Sequence, residues 1–447
     1  MSLTLSFCEY LTSIKYSDLD DETTEAVKRS IIDFLGVAFS GSKEESSKVW
    51  NKIFKDRSGD ISVFGQDVKS GDIRKAMALN AAYGHARDLD DTHTKSITHP
   101  GVITIPIGLA LAEKYGYSGK DLILAIVRGV EAATRIGECI NPTSYWYWHT
   151  TSVVGSFSAA TVAASLMGFD VGQLNRTMGN AGTQASGLWQ FMDSGSMSKT
   201  LHVVRANLNG LFSALAAREG LTSAEDILGG DKGFIRAVAP DYSFEPLLDK
   251  LESPFKIREV SIKAYPCCRH THSAIDAVLD LKKQYDLRPE DIGQIEDYTY
   301  ETAINTASNP HAASPYACKF SLEYLLAACI LNGTIDKGAF TVDEIKKVKN
   351  SGLMDKISVK LSDRINSFYE GNKDCWEHRL VVKTKDGRVL EKELTYPKGD
   401  AKNPMTYEEL LAKFTSNTHG IVDKSYGERL INYILKLDKF DRVDFRF

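Results

Sequence analysis

Residues 84–101, with the sequence GHARDLDDTHTKSITHPG, form a dense group of titratable side chains between two apolar segments rich in small residues. Three histidines and three aspartates fall within these eighteen residues: His85, His93, His99, Asp88, Asp90 and Asp91. If the flanking segments are buried helices, the group lines the cleft where they meet, a usual place for proton-transfer chemistry. The alternative is a polar turn in which the aspartates only cap helix ends.

Pro100 and Gly101 predict the local geometry of this segment. Proline is common in the first turn of a helix, so His99 is expected at the N-cap or just before it. The unpaired backbone N–H groups of a helix N-terminus attract anions.

Three further segments place basic side chains near predicted helix starts. They contain His149 before three capping residues (Thr150, Thr151, Ser152), then Lys199 with His202, then Lys263 followed by Arg269, His270 and His272. Each has a structural explanation, either a partly buried hydrogen-bonded histidine or a solvated lysine. Together, however, four such segments converging on one cleft would bind a multiply charged carboxylate or phosphate.

A polycarboxylate fits better than a phosphate, because the sequence has no P-loop and no G-x-G-x-x-G after a strand. With Asp88 as a base and His99 or His149 as acids, the expected chemistry is proton removal or delivery at a carbon next to a carboxylate. Without a cofactor, such a site supports elimination of water, decarboxylation or epimerisation.

The composition is that of a soluble globular protein: 447 residues, 43% hydrophobic, 25% charged and a net charge of -5. No basic run with interleaved aromatic residues suggests nucleic acid, and the longest apolar run, residues 101–112, is too short to span a membrane. The N-terminus lacks signal-peptide features. Seven cysteines, with Cys267–Cys268 the only close pair, indicate reduced thiols in a cytoplasmic protein without a cysteine-ligated metal.

The pattern predicts a mainly α protein. Helices are expected at residues 22–41, 102–115, 119–138, 152–167, 171–191 and 199–217, with strand character at 61–64. Several are apolar nearly all round, as in the middle of a bundle. A smaller α+β section follows: strand character at 255–266, a helix at 271–286, a strand at 292–302, a helix at 322–330, a strand at 356–362 and a hairpin at 378–397. Helices return after Pro397, so we expect a cleft between a helical domain and an α+β lobe.

Five motifs in this order resemble the MmgE/PrpD family over nearly the whole chain: D-L-D-D-T-H…T-H-P, W-H-x-x-S-V-V-G, S-K-x-L-H, K-A-Y-P-C and K-F-S-x-x-Y. The resemblance implies an all-helical domain of residues 1–262 and 398–447, an α+β lid domain of residues 263–397, and a homodimer. It also implies activity without a metal or other cofactor, on a small-molecule polycarboxylate.

Carried over by position, the resemblance gives the catalytic residues as Asp88, His99, His149, Lys199 and Lys263. It gives the substrate-binding residues as Thr92, His202, His272 and Tyr324. One departure is Thr150, where many members have a proline; we expect the loss of that proline to shift the start of the following helix.

The family includes 2-methylcitrate dehydratase, cis-aconitate decarboxylase and iminodisuccinate epimerase, and we expect the first of these activities, with the other two as alternatives. A different class remains open, a metal-dependent hydrolase whose ligands are His85, Asp88, Asp90, Asp91 and His93. A third interpretation is a helical scaffold that has lost its activity.

Overall fold

A computed structural model describes residues 2–55, 58–65, 69–194, 196–252 and 254–445. The chain divides into two compact units. Unit 1 comprises Met1–Ile262 with Thr406–Phe447, and unit 2 comprises Lys263–Met405. Among the described residues, no helix is both long and apolar enough to cross a membrane.

Unit 1 is built from helices with two short strand pairs. Its helices are α1 (Leu3–Ser13), α2 (Asp21–Gly41), α3 (Glu45–Ile53), α4 (Ile73–His85), α5 (Pro100–Tyr115), α6 (Gly119–Ile140), α7 (Thr150–Leu166), α8 (Val171–Gly182), α9 (Phe191–Ser194), α10 (Ser198–Arg218), α11 (Phe234–Val238) and α12 (Glu245–Leu248). Its strands are β1 (Ile61–Ser62) with β2 (Lys69–Ser70), and β3 (Thr92–His93) with β4 (Val260–Ser261), both pairs antiparallel. The C-terminal helices α19 (Tyr407–Thr418) and α20 (Lys424–Leu435) complete it.

Small residues let the central helices α7 and α10 pack closely. A Cβ atom at Gly210 of α10 would lie 2.5 Å from the backbone nitrogen of Ala160 in α7, so any larger residue would force the helices apart. Nearly all of α7 is buried, as the apolar pattern predicts. Because α7 begins next to His149 and α10 carries Lys199 and His202, this packing positions three of the predicted site residues.

Most predicted helices of unit 1 are confirmed, and so are several of their ends. Asp20 and Ser118 cap α2 and α6 through side-chain hydrogen bonds, and His99 is the N-cap residue of α5. The N-cap of α7 is His149 itself, rather than one of the three hydroxyl residues after it.

Two predicted elements of unit 1 are wrong in extent. The helix expected over residues 171–191 ends at Gly182, where a Cβ atom would lie 2.4 Å from the side chain of Ile227. The strand expected over residues 255–266 is a 3₁₀ turn at Lys256–Glu259 followed by the two residues of β4. The apolar side chains that gave this segment its strand-like composition are therefore buried in loops, and they do not form a long hydrogen-bonded strand.

Unit 2 is an α+β structure with a four-stranded sheet. Its elements are α13 (His272–Tyr285), β5 (Ile292–Thr299), α14 (Glu301–Ala307), α15 (Pro315–Cys318), α16 (Leu322–Asn332), α17 (Val342–Asn350), β6 (Ile357–Leu361), α18 (Asp363–Gly371), β7 (His378–Thr384) and β8 (Val389–Leu394). The strand order is β6-β5-β7-β8, with β5 and β6 parallel and the other pairs antiparallel. Helices α13 and α16 share one hydrophobic core with the sheet. The helices, strands and hairpin predicted between residues 271 and 397 are confirmed.

Candidate active site

Four parts of unit 1 bring the predicted polar residues together. The end of α4 and the loop after it supply His85, Asp88 and Asp90, and the N-terminus of α5 supplies His99. The N-terminus of α7 supplies His149. Helix α10 supplies Lys199 and His202, and all seven side chains are buried or nearly so. The loop leaves α4 sharply because Asp88 adopts a left-handed backbone conformation with φ of 57°.

The ammonium group of Lys199 is paired with Asp88. Its Nζ atom donates a hydrogen bond of 2.7 Å to Oδ1 of Asp88, and the two side chains are only 11% and 9% exposed. The same carboxylate oxygen lies 4.0 Å from Nε2 of His99. Asp88 thus lies between a cation and an imidazole.

Asp90, which the sequence assigned only to the metal alternative, joins two imidazoles. Its Oδ2 atom lies 2.7 Å from Nδ1 of His85 and 3.2 Å from Nδ1 of His99. Burial alone would raise the pKa of Asp90, but the imidazoles of His85 and His99 hold it well below its usual value. Asp90 is therefore an ionised carboxylate inside the protein.

His99 is fixed by its backbone as well as by its ring. Its N–H group donates to Oγ1 of Thr151 at 3.1 Å, which anchors the start of α5 against the start of α7. Thr92 lies on β3 with its hydroxyl buried and without a hydrogen-bond partner among the described residues. A buried hydroxyl of this kind is suited to a ligand contact.

His149 and His202 form a pair of neutral imidazoles. Their Nδ1 atoms are 3.0 Å apart, so one ring donates and the other accepts. Burial, followed by the charge of Lys199, holds the pKa of His149 well below its usual value, and burial lowers the pKa of His202 to about 4. The ring of Trp189 lies against His149, with 4.6 Å between the ring centroids.

The five residues of the metal-hydrolase alternative do not converge as a set. Asp91 accepts a 2.8 Å hydrogen bond from the N–H of Gly101 at the start of α5, and burial raises its pKa to about 8. His93 turns away toward Glu138 and Glu259, with its Nε2 atom 3.8 Å and 3.5 Å from their carboxylate oxygens. That alternative is therefore not supported by the geometry of its own ligand set.

A second buried ion pair, between Lys413 and Asp33, stabilises the loop that carries Asp88 and Asp90. Lys413 of α19 lies 2.5 Å from Oδ1 of Asp33 in α2, and its Nζ atom also donates to the carbonyl of Leu89 at 3.1 Å. Leu89 separates Asp88 from Asp90 in the chain. Helix α19 is thereby attached to the backbone of the loop that carries Asp88 and Asp90.

The remaining predicted residues belong to unit 2, and all are buried there. Lys263 is the first residue of unit 2, and His272 begins α13, with Nε2 3.4 Å from the carbonyl oxygen of Cys267. Tyr324 lies in the hydrophobic core of unit 2, where its hydroxyl donates to the carbonyl of Ala339. That packing gives Tyr324 a structural partner and does not support its predicted contact with substrate.

Several residues of the site could not be found from the sequence motifs. His85 and Asp90 were visible as titratable groups, but nothing in the chain indicated which carboxylate would pair with which imidazole. Trp189 was placed inside a helix that in fact ends seven residues earlier, and Lys413 lies in an ordinary amphipathic segment more than 300 residues from Leu89.

The arrangement in unit 1 combines a cation with neutral imidazoles in a buried setting. An ammonium group binds a carboxylate, and imidazoles of depressed pKa donate hydrogen bonds or exchange protons without adding charge. In its imidazolium form His99 carries a proton at Nε2 that it can transfer, while its Nδ1 atom lies 3.2 Å from the Asp90 carboxylate. This set serves proton transfer on a carboxylate-bearing substrate.

Comparison with known proteins identifies the family of the chain. Residues 5–247 match the MmgE/PrpD N-terminal domain and residues 265–439 match the MmgE/PrpD C-terminal domain. The chain belongs to the MmgE/PrpD family and is an enzyme, a lyase of that family.

The similar curated proteins are decarboxylases by name. Cis-aconitate decarboxylase of Aspergillus terreus is 26% identical over 470 residues, which cover 99% of this chain and 94% of that protein. Cis-aconitate decarboxylase of Homo sapiens is 26% identical over 460 residues, covering 98% and 92%. A cis-aconitate decarboxylase-like protein of Aspergillus oryzae is 25% identical over 463 residues, covering 98% and 95%.

Proposed function

We propose that this enzyme is a cofactor-independent lyase that decarboxylates cis-aconitate or a closely related unsaturated tricarboxylate. The observation that carries the proposal is the buried Lys199–Asp88 pair beside His99, in a chain similar over nearly its whole length to cis-aconitate decarboxylases. This preference replaces the 2-methylcitrate dehydration expected first from the sequence.

The proposed reaction needs one proton and no redox partner. The bond between the CH₂ carbon and its carboxylate breaks, and its electron pair forms a new double bond to the central carbon. The electrons of the original double bond then take up a proton at the former alkene CH. The trianion and one proton give CO₂ and a five-carbon dicarboxylate with a terminal methylene, so atoms and charge balance.

Five side chains of the unit 1 site have roles in this step. Lys199 binds a substrate carboxylate that is retained in the product, and a charge-assisted contact of this kind is favourable in a buried site. His99 delivers the proton from Nε2, and Asp90 stabilises its charged form. His149 and His202 are both neutral, and the ring that accepts at Nδ1 donates a hydrogen bond from Nε2 without opposing the loss of an uncharged CO₂ molecule.

Some finer features rest on the family resemblance. We propose that Lys263 binds a further carboxylate and that His272 supports it, that unit 2 serves as a lid, and that the enzyme is a homodimer. Truncating Lys263 to alanine should then raise KM for a tricarboxylate while leaving the fold intact.

The experiment that tests the proposed function is a substrate panel followed by proton NMR. Purified enzyme is incubated separately with cis-aconitate, 2-methylcitrate, citrate and iminodisuccinate at low concentration, and Lys199→Met serves as the matched control with weakened substrate binding. We expect CO₂ release from cis-aconitate only. Conversion of 2-methylcitrate to an alkene without CO₂ release would establish dehydration instead, and racemisation of iminodisuccinate would establish epimerisation.

A further inference from the structure

His85 is a fully buried neighbour of His99, the proposed proton donor. It is the last residue of α4, and its side chain has an exposed fraction of 0%. The Nδ1 atom of His85 lies 2.7 Å from Oδ2 of Asp90, closer than the 3.2 Å between that oxygen and Nδ1 of His99. One carboxylate oxygen therefore serves two imidazoles, and the closer partner is the ring that has no access to solvent.

The shared oxygen favours a proton on Nδ1 of each ring. Nδ1 of His85 is hydrogen-bonded to it at 2.7 Å, and Nδ1 of His99 is in ion-pair contact with it at 3.2 Å. Nε2 of His99 then lies on the side of Asp88, 4.0 Å from its Oδ1 atom. The ring of His85 also meets the ring of His99 edge-on, with 4.8 Å between centroids and an angle of 78°. His85 thus contacts both the carboxylate and the imidazole that would transfer the proton.

We infer that His85 is a positioning residue that sets the proton affinity of His99 through Asp90. When His85 donates to Oδ2, that hydrogen bond takes up part of the negative charge of Asp90, and the remainder acts on the imidazole of His99 3.2 Å away. Without that donor, the charge acts on His99 alone and favours its imidazolium form. His85 in this way keeps His99 able to release its proton. The inference rests on the proposed role of His99 as the proton donor.

A substitution at His85 retains all the other titratable side chains around His99. The titratable groups that face His99 come from four elements: His85 from α4, Asp88 and Asp90 from the loop after it, His149 from α7, and Lys199, through Asp88, from α10. A variant at His85 that preserves packing therefore isolates the effect of one N–H group.

Two variants distinguish a positioning role of His85 from a role in packing alone. His85→Phe retains an aromatic ring against His99 and His149 but has no N–H. His85→Asn loses the ring and the titratable group but retains an amide that donates to Asp90 from near the position of Nδ1. A structural role predicts that the phenylalanine variant resembles the wild type, whereas the positioning role predicts that the asparagine variant does.

The readout is the titration of His99 by NMR, in protein labelled with ¹³C at the histidine Cε1 position. The His99 signal is assigned by its loss in His99→Asn. We expect the midpoint of the His99 titration to rise by about one pH unit in His85→Phe and to return near the wild-type midpoint in His85→Asn. An unchanged or lowered midpoint in folded His85→Phe would overturn the inference.

A kinetic arm distinguishes this inference from the proposed function. In His85→Phe, the alkaline limb of the kcat profile with cis-aconitate should move upward together with the NMR midpoint. The NMR titration needs no substrate, so an enzyme that does not decarboxylate cis-aconitate still tests His85. If His85→Phe does not fold by near-UV circular dichroism, His85→Gln, whose amide lies nearer the Nε2 position, takes its place with the same expected shift.

Discussion

The Nζ atom of Lys199 lies 2.7 Å from Oδ1 of Asp88, and this pair joins α10 to the loop after α4 inside unit 1. The pair is nearly buried, so each charge depends on the other. A substrate carboxylate that binds Lys199 must therefore share the ammonium group with Asp88.

Variants of the two partners should change KM in opposite directions. Lys199→Met should raise KM for cis-aconitate about 10- to 100-fold, because a hydrogen bond to a charged group contributes about 1.5–3 kcal/mol. Asp88→Asn should lower KM, because the ammonium group no longer has a competing carboxylate, and should also lower kcat. Steady-state kinetics on both folded variants measures this, and an increase of KM in Asp88→Asn would show that Asp88 does not compete with substrate.

His99→Asn should reduce kcat about 10²- to 10⁴-fold with little change in KM, because the variant retains the N-cap position but lacks a transferable proton. Thr151→Val is the control, since it removes only the hydroxyl that accepts the His99 N–H bond. We expect a much smaller loss of kcat in the control. Near-normal kcat in His99→Asn would transfer the proton-donor role to another residue.

The helix ends at the site follow from the sequence, but the pairings between them do not. Pro100 predicts the N-cap position of His99 because proline favours the first helical turn. The end of α8 at Gly182 is not predicted, and the close approach of Ile227 and Phe157 to that position, which leaves no room for a Cβ atom, is a tertiary contact that the local sequence does not show. Since the chain turns there, Trp189 reaches His149 from a loop.

The distribution of carboxylates is the other feature that local sequence does not determine. Asp88, Asp90 and Asp91 lie within four residues, yet one pairs with Lys199, one with two imidazoles and one with the start of α5. The partner of Asp88 comes from α10, whereas Asp90 and Asp91 find their partners at the end of α4 and the start of α5 only because the loop folds back between these two helices. The motif therefore identifies the site without identifying the role of each oxygen.

The stability of the enzyme should depend on pH through Asp91. Its pKa is about 8 in the folded protein against the ordinary value of 3.8, so between these values the folded state holds a proton that the unfolded chain has released. The stabilisation that protonated Asp91 gives to the folded state is fully present below pH 3.8 and is lost as the pH rises through 8. The free energy of unfolding should therefore fall by up to about 1.4 kcal/mol per pH unit across this window.

Asp91→Asn removes this titration while keeping an oxygen for the N–H of Gly101. Urea unfolding of both proteins from pH 5 to 8 should show a difference in stability that changes steadily in favour of the variant as the pH rises. A difference that is constant with pH would show that Asp91 is ionised in the folded protein throughout this range.

Breaking the pair between Lys413 and Asp33 should destabilise unit 1. Lys413→Met leaves a buried carboxylate without its cation, which costs about 3–5 kcal/mol. The double variant Asp33→Leu with Lys413→Met removes both charges and should recover much of that loss. Because Lys413 also holds the carbonyl of Leu89, kcat should stay reduced in the double variant. Thermal unfolding and kinetics on the same samples separate the two effects, and full recovery of kcat would limit Lys413 to a structural role.

The most direct test of the proposed chemistry is the reaction of cis-aconitate in deuterated water, followed by NMR, with wild-type enzyme and with His99→Asn. The wild type should release one CO₂ per substrate and place one deuterium at the saturated CH₂ of the five-carbon product, while the variant should do so about 10²- to 10⁴-fold more slowly. Unchanged cis-aconitate in the wild-type reaction, or its hydration without CO₂ release, would contradict decarboxylation by this site.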